Sequence, residues 1–160
     1  MVIFGASGDL TERKLIPALF YLARERMLPA GFSVIGCART PATDESFRQE
    51  MGEAVKRYLK LSSESDAFVE SFGKGIYYTA DDFSNPAAYD RLKTLLDRLD
   101  RERGASGNRL FYLATPPSFF PVIVKQLGAA GLATPKFPQE SWTRIIIEKP
   151  SGGTFRAPGN

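Results

Sequence analysis

The chain has 160 residues, of which 43% are hydrophobic and 24% charged, a composition that suits one globular domain with a core of its own. Its net charge is +3 and its pI about 9.1, but the charges are scattered, and the densest basic stretch, Arg98 to Arg103, alternates with Asp100 and Glu102. That stretch reads as a solvated helix face and argues against a nucleic-acid partner; no apolar run reaches the roughly 18 residues of a membrane span.

Met1–Phe4 is a short apolar strand. Leu10 to about Met27 follows as an amphipathic helix with Leu15, Ala18, Leu19 and Leu22 on one side, ended by Pro29-Ala30-Gly31. Phe32–Ala38 is a second strand. A helix from about Asp44 is capped by Thr43 and carries Phe47, Met51, Val55 and Tyr58 at helical spacing. Ser65–Phe72 is a further short helix, and Gly75–Ala80 a third strand. Asn85-Pro86 opens a helix with the stripe Tyr89, Leu92, Leu95, Leu96 and Leu99, with Asn85 as its cap. Arg109–Ala114 is the fourth strand, stopped by Thr115-Pro116-Pro117; a helix spans about Ser118 to Ala130; residues 131–140 are an irregular loop. Trp142–Glu148 is the fifth strand, and Ile145-Ile146-Ile147 suits burial on both faces. Regular alternation of strand and helix predicts an α/β fold, a Rossmann-type doubly wound parallel sheet of five strands with helices on both faces. Right-handed crossovers favour the order 3-2-1-4-5. Residues 1–150 form this domain, and Ser151 to Asn160 lack any apolar period and read as a tail.

Four places carry chemistry. Gly5-Ala6-Ser7-Gly8-Asp9-Leu10-Thr11 joins the first strand to the first helix, where bare amides and a helix N-terminus suit a pyrophosphate. The glycine spacing is G-x-x-G-x-x-T, with Thr11 where a third small residue lets helix approach strand. At the end of the second strand, where an acid commonly binds a ribose 2′-hydroxyl, the chain has Ala38-Arg39-Thr40. The Arg39 fork suits a 2′-phosphate, with hydroxyls from Thr40 and Ser7, which favours NADP over NAD. Glu148-Lys149-Pro150 ends the fifth strand, where a lysine can reach both coenzyme and substrate oxygen, or where a charged strand end merely meets a turn. Thr115-Pro116-Pro117 either stiffens a loop beside the nicotinamide or only stops the fourth strand.

Together the block Ile3 to Leu19, Ala38-Arg39, Phe111 to Pro117 and Ile147-Glu148-Lys149-Pro150 resembles the glucose-6-phosphate dehydrogenase family, from about Val2 to Pro150. The resemblance implies oxidation of D-glucose 6-phosphate at C1 by NADP+, giving 6-phosphogluconolactone and NADPH, the entry to the oxidative pentose phosphate pathway. It implies that Gly5 to Arg13 wrap the pyrophosphate, and that Ser7 and Arg39 hold the 2′-phosphate, with Thr40 beside them. Asp82 and Phe83 would line the adenine pocket, Thr115 and Pro116 the coenzyme, and Lys149 would touch both nicotinamide and sugar phosphate. Pro150 matches a proline often cis in the family.

The family continues past Glu-Lys-Pro with Phe-Gly-x-Asp, whereas here Ser151-Gly152-Gly153-Thr154 follows. The family's second, α+β domain is not represented, and neither is its catalytic histidine, since the chain contains no histidine at all. The expectation is therefore a fragment, a frame-altered product or a trimmed piece that binds NADP without turning over sugar phosphate. No catalytic residue and no metal ligand is assigned within it. One cysteine and no secretory signal point to the cytoplasm. The complete family enzyme is expected to be a homo-oligomer acting on a small-molecule substrate, with no nucleic acid or membrane partner. The alternatives are the Rossmann domain of another sugar oxidoreductase and a non-catalytic binding piece.

Overall fold

The computed structural model describes residues 1–148. Its strands are β1 (Val2–Phe4), β2 (Val34–Ala38), β3 (Ile76–Ala80), β4 (Arg109–Leu113) and β5 (Thr143–Ile147), all parallel, in the order β3-β2-β1-β4-β5. The order matches the sequence expectation. Strand residues alternate between two cores. Val2, Phe4, Ile35, Cys37, Phe111 and Leu113 face α4 (Pro86–Arg103) and α5 (Phe120–Ala129). Ile3, Val34, Ala38, Ile76, Tyr78 and Tyr112 face α1 (Ile16–Arg24), α2 (Asp44–Tyr58) and α3 (Asp66–Gly73). Two helical layers thus cover a sheet that is apolar on both sides, as parallel sheets require.

The caps follow the sequence. Thr43 accepts from the Ser46 amide at 3.0 Å while the Ser46 hydroxyl accepts from the Thr43 amide at 3.0 Å. Asn85 accepts from the Ala87 amide at 3.1 Å, and α4 ends at Gly104 in the left-handed region, φ +70°.

Three expectations are corrected. The first helix does not reach Met27: it opens with a π-helical turn, Thr11–Leu15, continues as α1 and ends at Arg24. Pro17 gives the reason, because its ring conflicts with the carbonyl one turn earlier and it has no N–H to donate; the wider turn, in which the Ile16 amide donates to the Thr11 carbonyl, accommodates it. The buried side of the helix is Ile16, Pro17, Leu19 and Phe20, while Ala18 is exposed. Second, among the described residues β5 is not buried on both faces: it stands last in their sheet, and Ile146 and Ile147 are 40% and 52% exposed. Third, Arg98–Arg103 is not wholly solvated. Arg103 turns inward, its Nε donating to Ser33 Oγ at 2.7 Å, and the Asp100 carboxylate accepts both terminal nitrogens of Arg109, which is 5% exposed.

Candidate functional site

Phe4 pairs with Leu113 at the point where strand order reverses, so the carboxyl ends of β1 and β4 open one crevice between the two helical layers. Ligands of doubly wound sheets bind beyond such ends. The chain leaves β1 through Gly5 at φ +89°, a conformation that favours glycine. A β-carbon on Gly5 would stand 2.8 Å from the Ala114 carbonyl oxygen and 3.1 Å from Thr115 Cγ2. The amides of Gly5 and Ala6 donate to the Cys37 carbonyl at 2.8 and 3.2 Å, and the Gly8 amide donates to the Gly5 carbonyl at 3.0 Å. Ala6 is buried over Gly36, where a β-carbon would meet those of Ala6 and the Phe47 ring at 2.8 Å. The turn is thus fastened to the ends of β2 and β4 as well as β1.

Thr11 is fully buried, its hydroxyl 3.5 Å from the Gly5 carbonyl, which lets the helix start close above the strand end. Ser7, Gly8 and Asp9 are exposed and Leu10 half-buried. The first-turn amides of a helix lack intrahelical acceptors and carry the positive end of its dipole. Asp9 is held aside by an ion pair to Arg13 at 2.9 Å.

Arg39 and Thr40 are exposed just past β2. The Arg39 guanidinium carbon lies 5.3 Å from the centre of the Phe119 ring. The Thr40 carbonyl accepts the Tyr78 hydroxyl. Asp82, beyond β3, accepts the amide and hydroxyl of Ser84 at 2.8 and 2.7 Å; these bonds, with a smaller contribution from Arg39, hold its carboxyl below its ordinary value. The Phe83 side chain points inward, edge-on to Phe4 at 5.7 Å and to Phe119 at 5.8 Å, and its carbonyl accepts the Tyr89 hydroxyl at 2.8 Å.

After β4, the hydroxyl of half-buried Thr115 is enclosed and, among the described residues, without a hydrogen-bond partner. Pro116 is exposed, and its carbonyl accepts the Phe119 amide at 3.0 Å. Beyond β5, the Glu148 carboxylate accepts the Tyr112 hydroxyl at 2.5 Å. Burial, and then this carboxylate, push Tyr112 up to about 12. Lys149 and Pro150, and the expected tail 151–160, lie outside the described residues.

The structure therefore brings Gly5–Thr11 against Thr115, and Arg39 beside Asp82 and Phe119. Sequence reasoning missed Phe119 and Tyr112. Strand alternation was available to place Tyr112 on a buried face, but no sequence signal links either residue to its partner. Burial pushes the Cys37 thiol up to about 12, against the opposing hydrogen bond from Thr79, so the cysteine beside the turn is a neutral packing group. Cavities of about 420 and 400 Å³ open at the other end of the sheet, beside Phe72 and Trp142, among strand N-termini. Among the described residues no cluster of His, Cys, Asp or Glu suits a metal ion, and no helix is long and apolar enough to cross a membrane.

The model of the "Glucose-6-phosphate dehydrogenase, NAD binding domain" family matches residues 2–157. The chain belongs to this family. It is 45% identical over 154 residues to the glucose-6-phosphate 1-dehydrogenase of Chlamydia muridarum, covering 95% of this chain and 30% of the relative. A solved glucose-6-phosphate dehydrogenase in complex with its substrate glucose-6-phosphate superposes with a TM-score of 0.77 at 36% identity, over 94% of this chain and 30% of that one. The glucose-6-phosphate 1-dehydrogenase from Mycobacterium avium gives a TM-score of 0.75 at 28% identity, over 94% of this chain and 29% of its own. The chain thus spans about 30% of the length of the curated relatives it matches and corresponds to the nucleotide-binding domain of these oxidoreductases.

Proposed function

We propose that residues 1–150 are the NADP-binding domain of a glucose-6-phosphate dehydrogenase, with 151–160 as a tail. In the complete, cytoplasmic and homo-oligomeric enzyme this domain serves oxidation of D-glucose 6-phosphate to the 1,5-lactone, with bound NADP+ as hydride acceptor. The observation that carries the reading is the Gly5–Thr11 turn, pinned against the ends of β2 and β4 so that exposed Ser7-Gly8-Asp9 head the first helix at the topological switch point.

The residues fit a phosphorylated dinucleotide. The turn of Gly5, Ala6, Ser7, Gly8, Asp9, Leu10 and Thr11 suits the pyrophosphate: the Gly5, Ala6 and Gly8 amides are engaged by protein carbonyls and shape the cradle, while the first-turn amides and dipole of the helix behind it supply the attraction. Arg39, with Thr40 and Ser7, suits a 2′-phosphate, and no carboxylate stands at the end of β2 to prefer a bare hydroxyl. Asp82 borders the adenine pocket, and Phe83, its ring buried, contributes to it through its backbone. Thr115, whose enclosed hydroxyl has no partner among the described residues, and Pro116 border the coenzyme in this reading. Lys149 reaches nicotinamide and sugar phosphate in this reading. With no histidine in the chain, removal of the C1 hydroxyl proton by an imidazole falls to residues beyond these 160.

Calorimetric titration tests the reading. NADPH binds the chain more tightly than NADH, and Arg39→Ala weakens NADPH by about 1–3 kcal/mol while leaving NADH nearly unchanged. Equal losses for both would remove Arg39 from the 2′-phosphate. The chain alone forms no NADPH from glucose 6-phosphate; turnover by it would refute the division of labour.

A further inference from the structure

We infer that Phe119 is a specificity-determining positioning residue: its ring holds the Arg39 guanidinium where a 2′-phosphate can meet it. The inference rests on the reading of Arg39 above and assigns a role to a residue outside every motif.

Arg39 is an exposed, flexible side chain that loses rotamer freedom when it engages a ligand. Its partners among the described residues are the Phe119 ring, 5.3 Å from its guanidinium carbon, and more weakly the charge of Asp82. A cation over an aromatic ring is held by the ring quadrupole, and this contact uses none of the guanidinium N–H donors. A carboxylate partner would occupy those donors and repel a phosphate. Asp82, whose carboxyl feels the Arg39 charge, is itself engaged by the Ser84 amide and hydroxyl at 2.8 and 2.7 Å. Arg39 is thus restrained while its donors stay available.

Phe119 is itself fixed. It stands edge-on to Phe83, at 5.8 Å and 84°, and Phe83 stands edge-on to Phe4, at 5.7 Å and 77°. The Phe83 carbonyl is tied to the Tyr89 hydroxyl at 2.8 Å, and the Phe119 amide to the Pro116 carbonyl at 3.0 Å. A run of aromatic contacts therefore joins Arg39 to the last residue of β1, the residue before Gly5. The adenosine end and the pyrophosphate turn share one rigid support, and the cost of ordering Arg39 is met before the coenzyme arrives. Only a ligand with a 2′-phosphate gains from this.

The test is fluorescence titration of NADPH and NADH against the whole chain and its Phe119→Leu, Phe119→Tyr, Arg39→Ala and Arg39→Ala/Phe119→Leu variants. Phe119→Leu keeps apolar bulk and removes the ring face. It should weaken NADPH about two- to fivefold, the range of an exposed cation–π contact, and leave NADH unchanged. Phe119→Tyr should restore the wild-type preference, and Phe119→Leu should add nothing once Arg39 is gone. If Phe119→Leu binds NADPH as wild type does, or loses NADPH and NADH equally, while Arg39→Ala still abolishes the preference, the role of Phe119 is overturned and the reading of Arg39 stands. If Arg39→Ala leaves the preference intact, both fall.

Discussion

Gly5 meets Ala114 backbone to backbone: a β-carbon on Gly5 would lie 2.8 Å from the Ala114 carbonyl oxygen, and the position is held at φ +89°. An L side chain is strained there on both counts. Gly5→Ala should lower stability by about 1–3 kcal/mol and weaken NADPH at least tenfold, read by guanidinium unfolding and by titration. Gly128→Ala is the counterpart. It sits in α5 with nothing within 4 Å of an added β-carbon, and should stabilise by roughly 0.5–1 kcal/mol with coenzyme affinity unchanged.

The Tyr112 hydroxyl donates to Glu148, and the phenol is pushed up to about 12 by burial and by that carboxylate. The unfolded chain releases this proton near pH 10 and the folded protein only near 12, so above pH 10 the unfolded state binds fewer protons and stability falls as pH rises toward 12. Tyr112→Phe should cost about 0.5–1.5 kcal/mol at neutral pH and reduce the alkaline loss, measured as thermal midpoints from pH 8 to 11. The loss should shrink without vanishing, because burial also raises Tyr78 and Tyr89.

Acid sensitivity has a separate source. Burial opposes ionisation of Asp100, but hydrogen bonds from Arg109, Lys136 and the Gly107 amide outweigh it and hold the carboxyl well below the usual range. A depressed folded-state pKa gives stability that is present above the ordinary carboxylate value and fades as pH falls, here from about pH 5 downward. Asp100→Asn leaves buried Arg109 without its main counter-charge, and should cost about 3 kcal/mol at pH 7 and flatten the acid limb of the stability profile.

Cys37 provides a chemical check on the turn. Its carbonyl accepts both the Gly5 and Ala6 amides, the residue is 6% exposed, and burial raises its thiol to about 12. A thiol-specific disulfide reagent at pH 8 should modify it only after unfolding. Rapid labelling of the folded chain would show that the β2 end opens.

The sheet order was legible because each strand and helix carries its own period, and the strand-turn-helix at Gly5 puts backbone and glycine spacing in one continuous stretch. What failed depended on neighbours. Ile145-Ile146-Ile147 is written like a central strand, yet among the described residues β5 stands last in the sheet with Ile146 and Ile147 exposed, and no local pattern encodes which neighbours a strand meets. Pro17 was visible, but its effect was to widen the helix into a π turn, and periodicity is blind to that. Arg39 could be proposed from the sequence because its position follows directly from β2. Phe119, which holds it, and Tyr112, which holds Glu148, meet their partners only after the crossovers close.

The central claim is that a phosphorylated dinucleotide seats on the turn after β1 with Arg39 at its adenosine end. The most direct measurement is a titration of the isotopically labelled chain with NADPH, followed through its backbone amide resonances. The account predicts saturable shifts at Ser7 to Thr11, Arg39, Thr40 and Thr115, with those around Phe32, Phe72 and Trp142 at the opposite end of the sheet unmoved. Shifts confined to that opposite end, or none with NADPH in large excess, would contradict it.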